Sequence, residues 1–301
     1  MDNRRKKVLV VIDPGHTGRT YNAGAVAGYY ESAAMFELSR YEKAALESYG
    51  IDVVLTRSLN EDPGLYERGQ MAVCLGRAGE YDTVIFESNH SNAFNGKACG
   101  VTIIRSAHLP GSEALGNRIT DAVVSVMRPV TGITYNRGVT TKIQRNGADW
   151  YGVIRGAVSG AVSEIQAGKG SVQYAFIVEH GFHDHPTECA FLLESDNLKK
   201  IAEAKAGVIA EHFGLSEEKI SSSDNSEKDC TPYLVKVNVS SLNIRKKPTA
   251  LSESCGYTGK GTFTIVKEAE GAVDREGGKG RWGYLKSGRG WICLEYTERA
   301  A

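Results

Sequence analysis

Residues 8–16 are Val8-Leu9-Val10-Val11-Ile12-Asp13-Pro14-Gly15-His16, and this stretch decides the fold. Five apolar residues in a row predict a buried β-strand. The Asp-Pro-Gly that follows is turn chemistry, because Asp bonds nearby backbone, Pro fixes φ and Gly tolerates tight geometry. The strand therefore delivers His16 onto a loop at a sheet edge, where α/β proteins present metal ligands and catalytic groups to a cleft. A lone histidine is more often a polar loop residue, so this interpretation requires partners elsewhere in the chain.

Apolar segments with strand and helix periods alternate along residues 1–213. Further strands are predicted at Ile51–Thr56, Thr83–Phe86, Val101–Ile104 and Ala175–Val178. Helices are predicted at Glu31–Tyr49, Leu65–Ala78, Ser112–Met127 and, as one or two helices, 187–213. This alternation implies an α/β domain over residues 1–213, in which helices flank a mostly parallel twisted sheet.

The pattern changes after residue 213. Residues 214–229 are mostly Ser, Asp, Glu and Lys and cannot bury a core, so they predict a linker. Residues 230–301 carry short apolar segments separated by Gly turns, which predicts a small all-β barrel as a second domain. Its expected strands are Tyr233–Val239, Gly261–Lys267, Trp282–Lys286 and Gly290–Cys293.

Charge and composition limit the classes of binding partner that the sequence predicts. With 36 basic and 36 acidic residues the chain is formally neutral, so no global basic field points to nucleic acid. Residues 230–301 hold 12 Lys/Arg and 7 Asp/Glu, a net of +5, and the remaining residues hold 24 against 29, a net of −5. This surplus makes an anionic polymer a candidate partner, although a solvated face is the usual explanation.

The chain is expected to be made in the cytosol and not to insert into a membrane. Residues 1–7 are charged and run directly into the first strand, with no apolar signal segment, and no apolar run is long enough to span a bilayer. The six cysteines are scattered without a Cys-x-x-Cys pair, so they are expected to be free and mostly buried.

Four polar side chains are predicted to converge at one sheet edge. His16 follows the first strand, Glu31 begins a helix, His90 follows the strand at Phe86, and Glu179 ends a later strand. Two histidines, one carboxylate and an open position are the usual catalytic zinc set, and a further carboxylate can accept a proton from water. Taken singly, each residue is more often an ordinary polar loop or helix-start residue.

The chain resembles the zinc-dependent N-acetylmuramoyl-L-alanine amidases of the third amidase type. The resemblance covers about residues 6–213 and implies that His16, Glu31 and His90 bind Zn²⁺ and that Glu179 is catalytic. The matching pieces, in order, are the stretch ending at His16, then Glu31, Val53–Arg57, Leu65–Arg68, Ser88–Ala93, Asn136–Val139, Val153–Arg155 and Val178–Phe182.

The chain departs from this family in several places. Glu87 and Asn89 stand where small or apolar residues are usual, His180 lies within the catalytic motif, and residues 156–171 form a Gly/Ser-rich insertion. His180, His183 and His185 have spacing that could suit a second metal, but a polar loop beside the cleft is the favoured interpretation. These departures bear on substrate preference rather than on the ligand set.

Residues 233–297 resemble a bacterial SH3-like domain, which implies a cell-wall target. The resemblance lies in residues 241–248, Gly261-Thr262, residues 282–285 and residues 290–292. Trp282, Tyr284 and Trp291 are candidate wall-binding residues, although a core role is the slightly favoured interpretation of each.

The resemblance to these amidases implies a peptidoglycan hydrolase that cleaves the amide between N-acetylmuramic acid and L-alanine. The absent export signal and the wall-binding module favour a phage endolysin that lyses a Gram-positive host and acts at the cell wall after release. Another zinc peptidase acting on wall peptides and a non-enzymatic wall-binding protein are the alternatives. The sequence leaves the oligomeric state, the target species and the metal identity open.

Overall fold

The computed structural model describes residues 6–79, 81–159, 171–216, 228–239, 241–250, 252, 254–273 and 279–300. The chain divides into two compact units, Met1–Glu218 and Lys219–Ala301. Each unit is described by itself below. Among the helices in these ranges, none combines the length and the apolar character needed to cross a membrane.

The first unit is a mixed α/β fold. Its strands are β1 (Val8–Pro14), β2 (Asp52–Leu55), β3 (Thr83–Asn92), β4 (Val101–Arg105), β5 (Asn136–Thr141) and β6 (Val172–Phe182). Its helices are α1 (Glu31–Ser48), α2 (Leu65–Ala78), α3 (Ser112–Thr131), α4 (Gly152–Ala157), α5 (Pro186–Leu193) and α6 (Ser195–His212). The predicted helices and strands of this unit are therefore confirmed in kind and in order.

One six-stranded sheet, in the order β2-β1-β3-β6-β4-β5, forms the centre of this unit. β1 pairs in parallel with β2 and β3, and β3 pairs in parallel with β6. Side chains alternate between the two faces, so Val8, Val10 and Ile12 pack in one apolar cluster and Leu9 and Val11 in another. Both faces of the sheet are thus buried, which explains why β1 is apolar without interruption.

The sheet is mostly parallel, as predicted, and the one antiparallel pairing among its described strands lies near one edge. β4 pairs antiparallel with β6, and β5 pairs in parallel with β4, so this edge runs against the rest of the sheet. β5 and the six-residue helix α4 were not predicted, and β3 and β6 extend well beyond their expected ends. His90 consequently lies within β3 rather than after it, and Glu179 lies within β6 rather than at its end.

The second unit is all β. Its strands are β7 (Lys228–Val237), β8 (Asn243–Arg245), β9 (Ser254–Tyr257), β10 (Gly261–Ala272), β11 (Lys279–Leu285), β12 (Trp291–Cys293) and β13 (Thr297–Arg299). All of its pairings are antiparallel, in the order β13-β7-β10-β11-β12-β8-β9. A separate antiparallel sheet is therefore present, and its closure into an SH3-like barrel stays a prediction.

The aromatic residues proposed for wall binding lie in or beside the core of the second unit. Trp282 and Trp291 are each 2% exposed and pack in one cluster with Cys293. Tyr284 is half-buried against Trp291, and its hydroxyl donates to the Gly288 carbonyl. The burial of both tryptophans favours the core interpretation for them, because a polymer at the surface cannot reach their rings in this conformation.

The structure also bears on two further predictions, one about the linker and one about the cysteines. Most of the predicted linker, 214–229, lies outside the described residues, although Lys228 and Asp229 already belong to β7. All six cysteines are free, as expected, but they are not mostly buried, because Cys189 and Cys293 alone are fully so.

Helices α2 and α4 approach each other closely through two glycines. A Cβ at Gly69 would collide with the Val153 carbonyl oxygen, and a Cβ at Gly156 would collide with the Tyr66 carbonyl oxygen. Because backbone rather than a movable side chain lies in the way, a larger residue has to push the helices apart. This contact positions the starts of α2 and α4 beside the cleft described below.

We expect Gly69→Ala to lower the free energy of unfolding by about 1–3 kcal/mol through overpacking. Gly207→Ala is the matched control, since Gly207 is also inside a helix but a Cβ there would meet nothing nearer than the Tyr49 hydroxyl, at 3.7 Å. That control should gain about 0.5–1 kcal/mol from helix propensity. Urea unfolding of both variants measures the difference, and equal effects would contradict the close approach.

Candidate metal centre

Three parallel strands bring their carboxyl ends to one place. Pro14 at the end of β1 is in register with Asn89 of β3, and His90 is in register with Glu179 of β6. His16 follows two residues after Pro14. The hydrogen-bonded ladder therefore fixes these side chains at the same height of the sheet, as the sequence predicted.

Glu31 lies between two imidazoles. Its Oε2 is 3.1 Å from His16 Nε2, and its Oε1 is 3.0 Å from His90 Nδ1. One potential ligand atom from each of the three residues lies within 4.8 Å of the others. Within the described ranges, this is the one group of three or more His, Cys, Asp or Glu side chains arranged in this way. The structure thus brings together all three sequence-predicted ligands.

The electrostatics of this group favour positive charge between the side chains. Burial raises the pKa of Glu31, but the hydrogen bonds from His16 and His90 outweigh it and hold that pKa well below its usual range. Burial likewise opposes charge on His90, yet the hydrogen bond to Glu31 and the nearby acidic groups of Glu179, Glu31 and Asp13 raise the pKa of His90 to about 9. Both shifts have the sign expected where a cation, whether proton or metal, is stabilised by a shared carboxylate.

The loop that carries His16 is held in an unusual conformation. His16 has φ of 58°, a left-handed value that few residues other than glycine adopt. Beside it, a Cβ at Gly15 would lie 2.6 Å from the ring of His90, so only glycine allows the two segments to approach this closely. Buried Arg57 donates to the carbonyls of Pro14 and Gly15, and buried Arg68 donates to that of His16.

Hydrogen bonds and an ion pair of Asp13 also stabilise this loop. Asp13 is buried and accepts hydrogen bonds from the hydroxyls of Thr56 and Ser88, at 2.6 and 2.7 Å. Arg68 Nη1 lies 3.3 Å from the Asp13 carboxylate. The charge of the guanidinium is thereby compensated, which a buried arginine requires. These contacts fix the backbone from which His16 projects.

Glu31 is oriented by donors on both of its oxygens. The Ser91 amide donates to Oε1 at 3.0 Å, and the Asn22 side-chain amide donates to Oε2 at 2.8 Å. The Ser91 hydroxyl in turn is 2.7 Å from the Tyr29 hydroxyl. Because the carboxylate has a defined partner on each side, its plane is fixed relative to the two imidazoles.

Glu179 lies at the wall of a cavity of about 660 Å³ that also opens onto His16, Glu31 and His90. Its Oε2 is shielded from solvent and has no hydrogen-bond partner among the described residues. Burial, with a smaller contribution from the charge of Glu31, raises the pKa of Glu179 to about 7. A carboxyl group in this range can both accept and donate a proton near neutral pH.

The histidines at 180, 183 and 185 do not form a second metal-type group among the described residues. His180 is buried and donates from Nδ1 to the His90 carbonyl, and His183 donates from Nδ1 to the Ser91 carbonyl. His185 accepts from the Thr187 amide at the start of α5. Each therefore has its own structural contact. The loop interpretation agrees with the positions of His183 and His185, but it is wrong for His180, which lies buried within β6.

The sequence did not predict several residues that hold the candidate metal ligands in place. Asn22 and Tyr29 lie in a loop rich in Gly and Ala, where the sequence carries no periodic signal. Arg57 and Arg68 appear in the family pieces, but their role depends on carbonyls of a distant loop. Most of the insertion at 156–171 lies outside the described residues, so the expectation for it stays a prediction.

Comparisons with known proteins agree with this architecture. The N-acetylmuramoyl-L-alanine amidase AmiA of Salmonella typhimurium is 28% identical over 116 residues, which is 38% of this chain and 38% of the relative. The match therefore spans well under half the length of that curated relative.

Two solved structures share the fold of the first unit. Cwp6 from Clostridium difficile superposes with a TM-score of 0.53 at 24% identity, over 68% of this chain and 29% of that one. The catalytic domain of CwlV, an N-acetylmuramoyl-L-alanine amidase from Bacillus (Paenibacillus) polymyxa, gives 0.51 at 23% identity, over 70% of this chain and 99% of that domain. The sequence pattern of the N-acetylmuramoyl-L-alanine amidase family matches residues 10–211, and the chain belongs to that family.

Proposed function

We propose that this protein is a zinc-dependent N-acetylmuramoyl-L-alanine amidase that hydrolyses the amide joining the lactyl group of N-acetylmuramic acid to L-alanine in peptidoglycan. The observation that carries the proposal is the His16, Glu31 and His90 group beside Glu179 in a chain of the amidase family. The substrate follows from the family rather than from the cavity itself.

The donor set fits zinc. Two imidazole nitrogens and one carboxylate are the ligands of many catalytic zinc sites, which keep a further position for water or substrate. The cavity in front of His16 and His90 provides that space, and Glu31 already lies between both nitrogens. When bound there, zinc supplies a Lewis acid that polarises the amide carbonyl and makes water more acidic.

Glu179 does the proton chemistry in this proposal. Its carboxylate accepts a proton from the attacking water as the water oxygen bonds to the carbonyl carbon. It then gives that proton to the amide nitrogen as the carbon–nitrogen bond breaks, leaving a lactyl carboxyl and a free amino group on alanine. His16, Glu31 and His90 hold their positions throughout, because Arg57, Arg68 and Ser91 restrain them.

The second unit is proposed to hold the enzyme on the wall. Residues 230–301 carry a net charge of +5, which suits anionic wall polymers or peptidoglycan itself. A tethered binding unit raises the local concentration of the hydrolase on an insoluble substrate without adding any contact to the active site. Tyr284 is the one proposed wall-binding aromatic that is not buried here.

We further propose that the protein is a phage endolysin, made in the cytoplasm of a Gram-positive host and active at its wall after release. The support is the two-unit organisation, with an amidase-family unit joined to a second unit of opposite net charge. Such an enzyme needs access to the wall from outside the membrane before it can act.

Glu179→Gln should lower kcat on purified peptidoglycan by about 10²- to 10⁴-fold, because the proton acceptor is lost while its shape is kept. Zinc affinity should stay within about threefold, since Glu179 is not one of the ligands. Glu203→Gln, an exposed glutamate on α6, is the matched control and should be fully active. Wild-type activity in the Glu179 variant would remove this residue from the mechanism.

A strong chelator should abolish clearing of a peptidoglycan suspension, and stoichiometric zinc should restore it. Analysis of the digested material should then show new N-terminal alanine together with free lactyl carboxyl groups. New amino termini at other stem-peptide residues would support a zinc peptidase instead. Wall binding with no new chain ends, with or without metal, would support a non-enzymatic protein.

Expression of the protein in the cytoplasm of a Gram-positive host should leave culture turbidity unchanged until the membrane is permeabilised, and turbidity should then fall rapidly. The Glu179→Gln variant under the same treatment separates wall hydrolysis from membrane damage. Lysis before permeabilisation, or none in any Gram-positive host after it, would count against the endolysin assignment.

A further inference from the structure

A buried cluster of charged and polar side chains lies on α1, β3 and α6, of which α1 and β3 also carry residues of the candidate metal centre. Lys205 of α6 is fully buried, and its ammonium contacts the carboxyl groups of Glu42, at 2.9 Å, and Glu87. Its ammonium also donates to Asn89 Oδ1 at 2.7 Å. We call Lys205, Glu42, Glu87 and Asn89 the Lys205 cluster. The resemblance described in the sequence analysis implies small or apolar residues at the positions of Glu87 and Asn89.

Burial changes the proton affinities of Glu87 and Lys205 in the Lys205 cluster. Burial, and next the negative charge of Glu42, raise the pKa of Glu87 to about 8, so this carboxyl keeps its proton at neutral pH. Burial lowers the pKa of Lys205, but the two acidic partners raise it overall, so the ammonium stays charged. Protonation of Glu87 keeps one negative charge out of the interior, which lowers the free-energy cost of burying the cluster.

The cluster joins the elements that carry the metal centre. Glu42 lies on α1, the helix that begins with Glu31, and Asn89 immediately precedes His90 on β3. The Asn89 amide donates to Glu42 Oε2 at 2.9 Å and to the Ser39 hydroxyl of α1 at 3.0 Å. The backbone next to His90 is thus tied directly to the helix that presents Glu31.

A second connection reaches the strand of the proposed catalytic carboxyl. His180, the neighbour of Glu179 on β6, is fully buried and donates to the His90 carbonyl at 3.0 Å. The Lys205 cluster therefore joins α6 to α1 and β3, and β6 is tied to β3 through the bond from His180 to the His90 carbonyl.

We propose that the Lys205 cluster is a positioning element for the metal centre, holding α1 against β3 so that Glu31 and His90 keep the separation that binds a cation. The inference rests on the proposed function. Stability alone does not explain the cluster, because buried ion pairs often stabilise a protein no more than apolar residues of similar volume. Directional bonds between fixed elements are what apolar packing would not supply.

The test compares metal affinity with stability. The triple variant Glu42→Leu, Glu87→Leu and Lys205→Met keeps the volume of the cluster and removes its charges. We expect its metal-free form to unfold at a urea midpoint close to that of the wild type. Its zinc dissociation constant, measured by competition with a chromophoric chelator, should rise about 10- to 100-fold, as is typical when groups that orient metal ligands are lost.

A second variant covers the case in which the triple variant does not fold. Asn89→Ala leaves the contacts of Lys205 with Glu42 and Glu87 in place but frees the residue before His90 from α1, and its zinc affinity should fall about tenfold. The control Lys199→Met/Glu203→Leu removes an exposed pair on the same helix and should change neither quantity.

The outcomes separate this inference from the function on which it rests. Wild-type zinc affinity in the triple variant, or in Asn89→Ala if the triple does not fold, would overturn the positioning role and leave the proposed amidase intact. A wild-type protein that binds no zinc would overturn the proposed function as well. Reduced zinc affinity with unchanged stability of the metal-free protein supports the positioning role.

Discussion

The parallel alignment of β1, β3 and β6 is the constraint on which the candidate site depends. Hydrogen-bonded ladders set Pro14 beside Asn89 and His90 beside Glu179, so side chains from distant parts of the chain emerge at one height. A slip of one residue in either ladder would turn the side chains of that strand to the other face and separate the group. The apolar faces of β1 oppose such a slip, because each of its residues is buried on one side or the other.

Two carboxyl groups facing one cavity have opposite proton affinities. Glu31 is held ionised by two imidazoles, whereas Glu179, mainly because of burial, has a pKa near neutrality. The difference arises from contacts rather than from residue type, and it separates a ligand-like carboxylate from a proton carrier. Catalytic sites commonly divide their roles in this way.

The sequence predicts the inner strands and the four site residues better than it predicts the residues that hold them in place. Continuous apolar runs identify β1 and the inner strands, and the order of motifs identifies the four residues that meet. β5 escaped because its residues are polar and partly exposed, and α4 because six residues with two glycines carry no helical period. The arginines that hold the His16 loop, and the pairing of Lys205 with Glu42, join residues far apart in the chain, which local patterns do not encode.

The bond between Lys205 and Glu42 also affects when the first unit can complete its fold during synthesis. Its partners are 163 residues apart, and Lys205 lies on the last helix of the first unit. Although all three candidate ligands are synthesised within the first ninety residues, the contact that ties α1 to β3 and α6 has to wait until that helix has emerged from the ribosome. A nascent chain therefore carries the ligand residues long before it can complete the geometry around them.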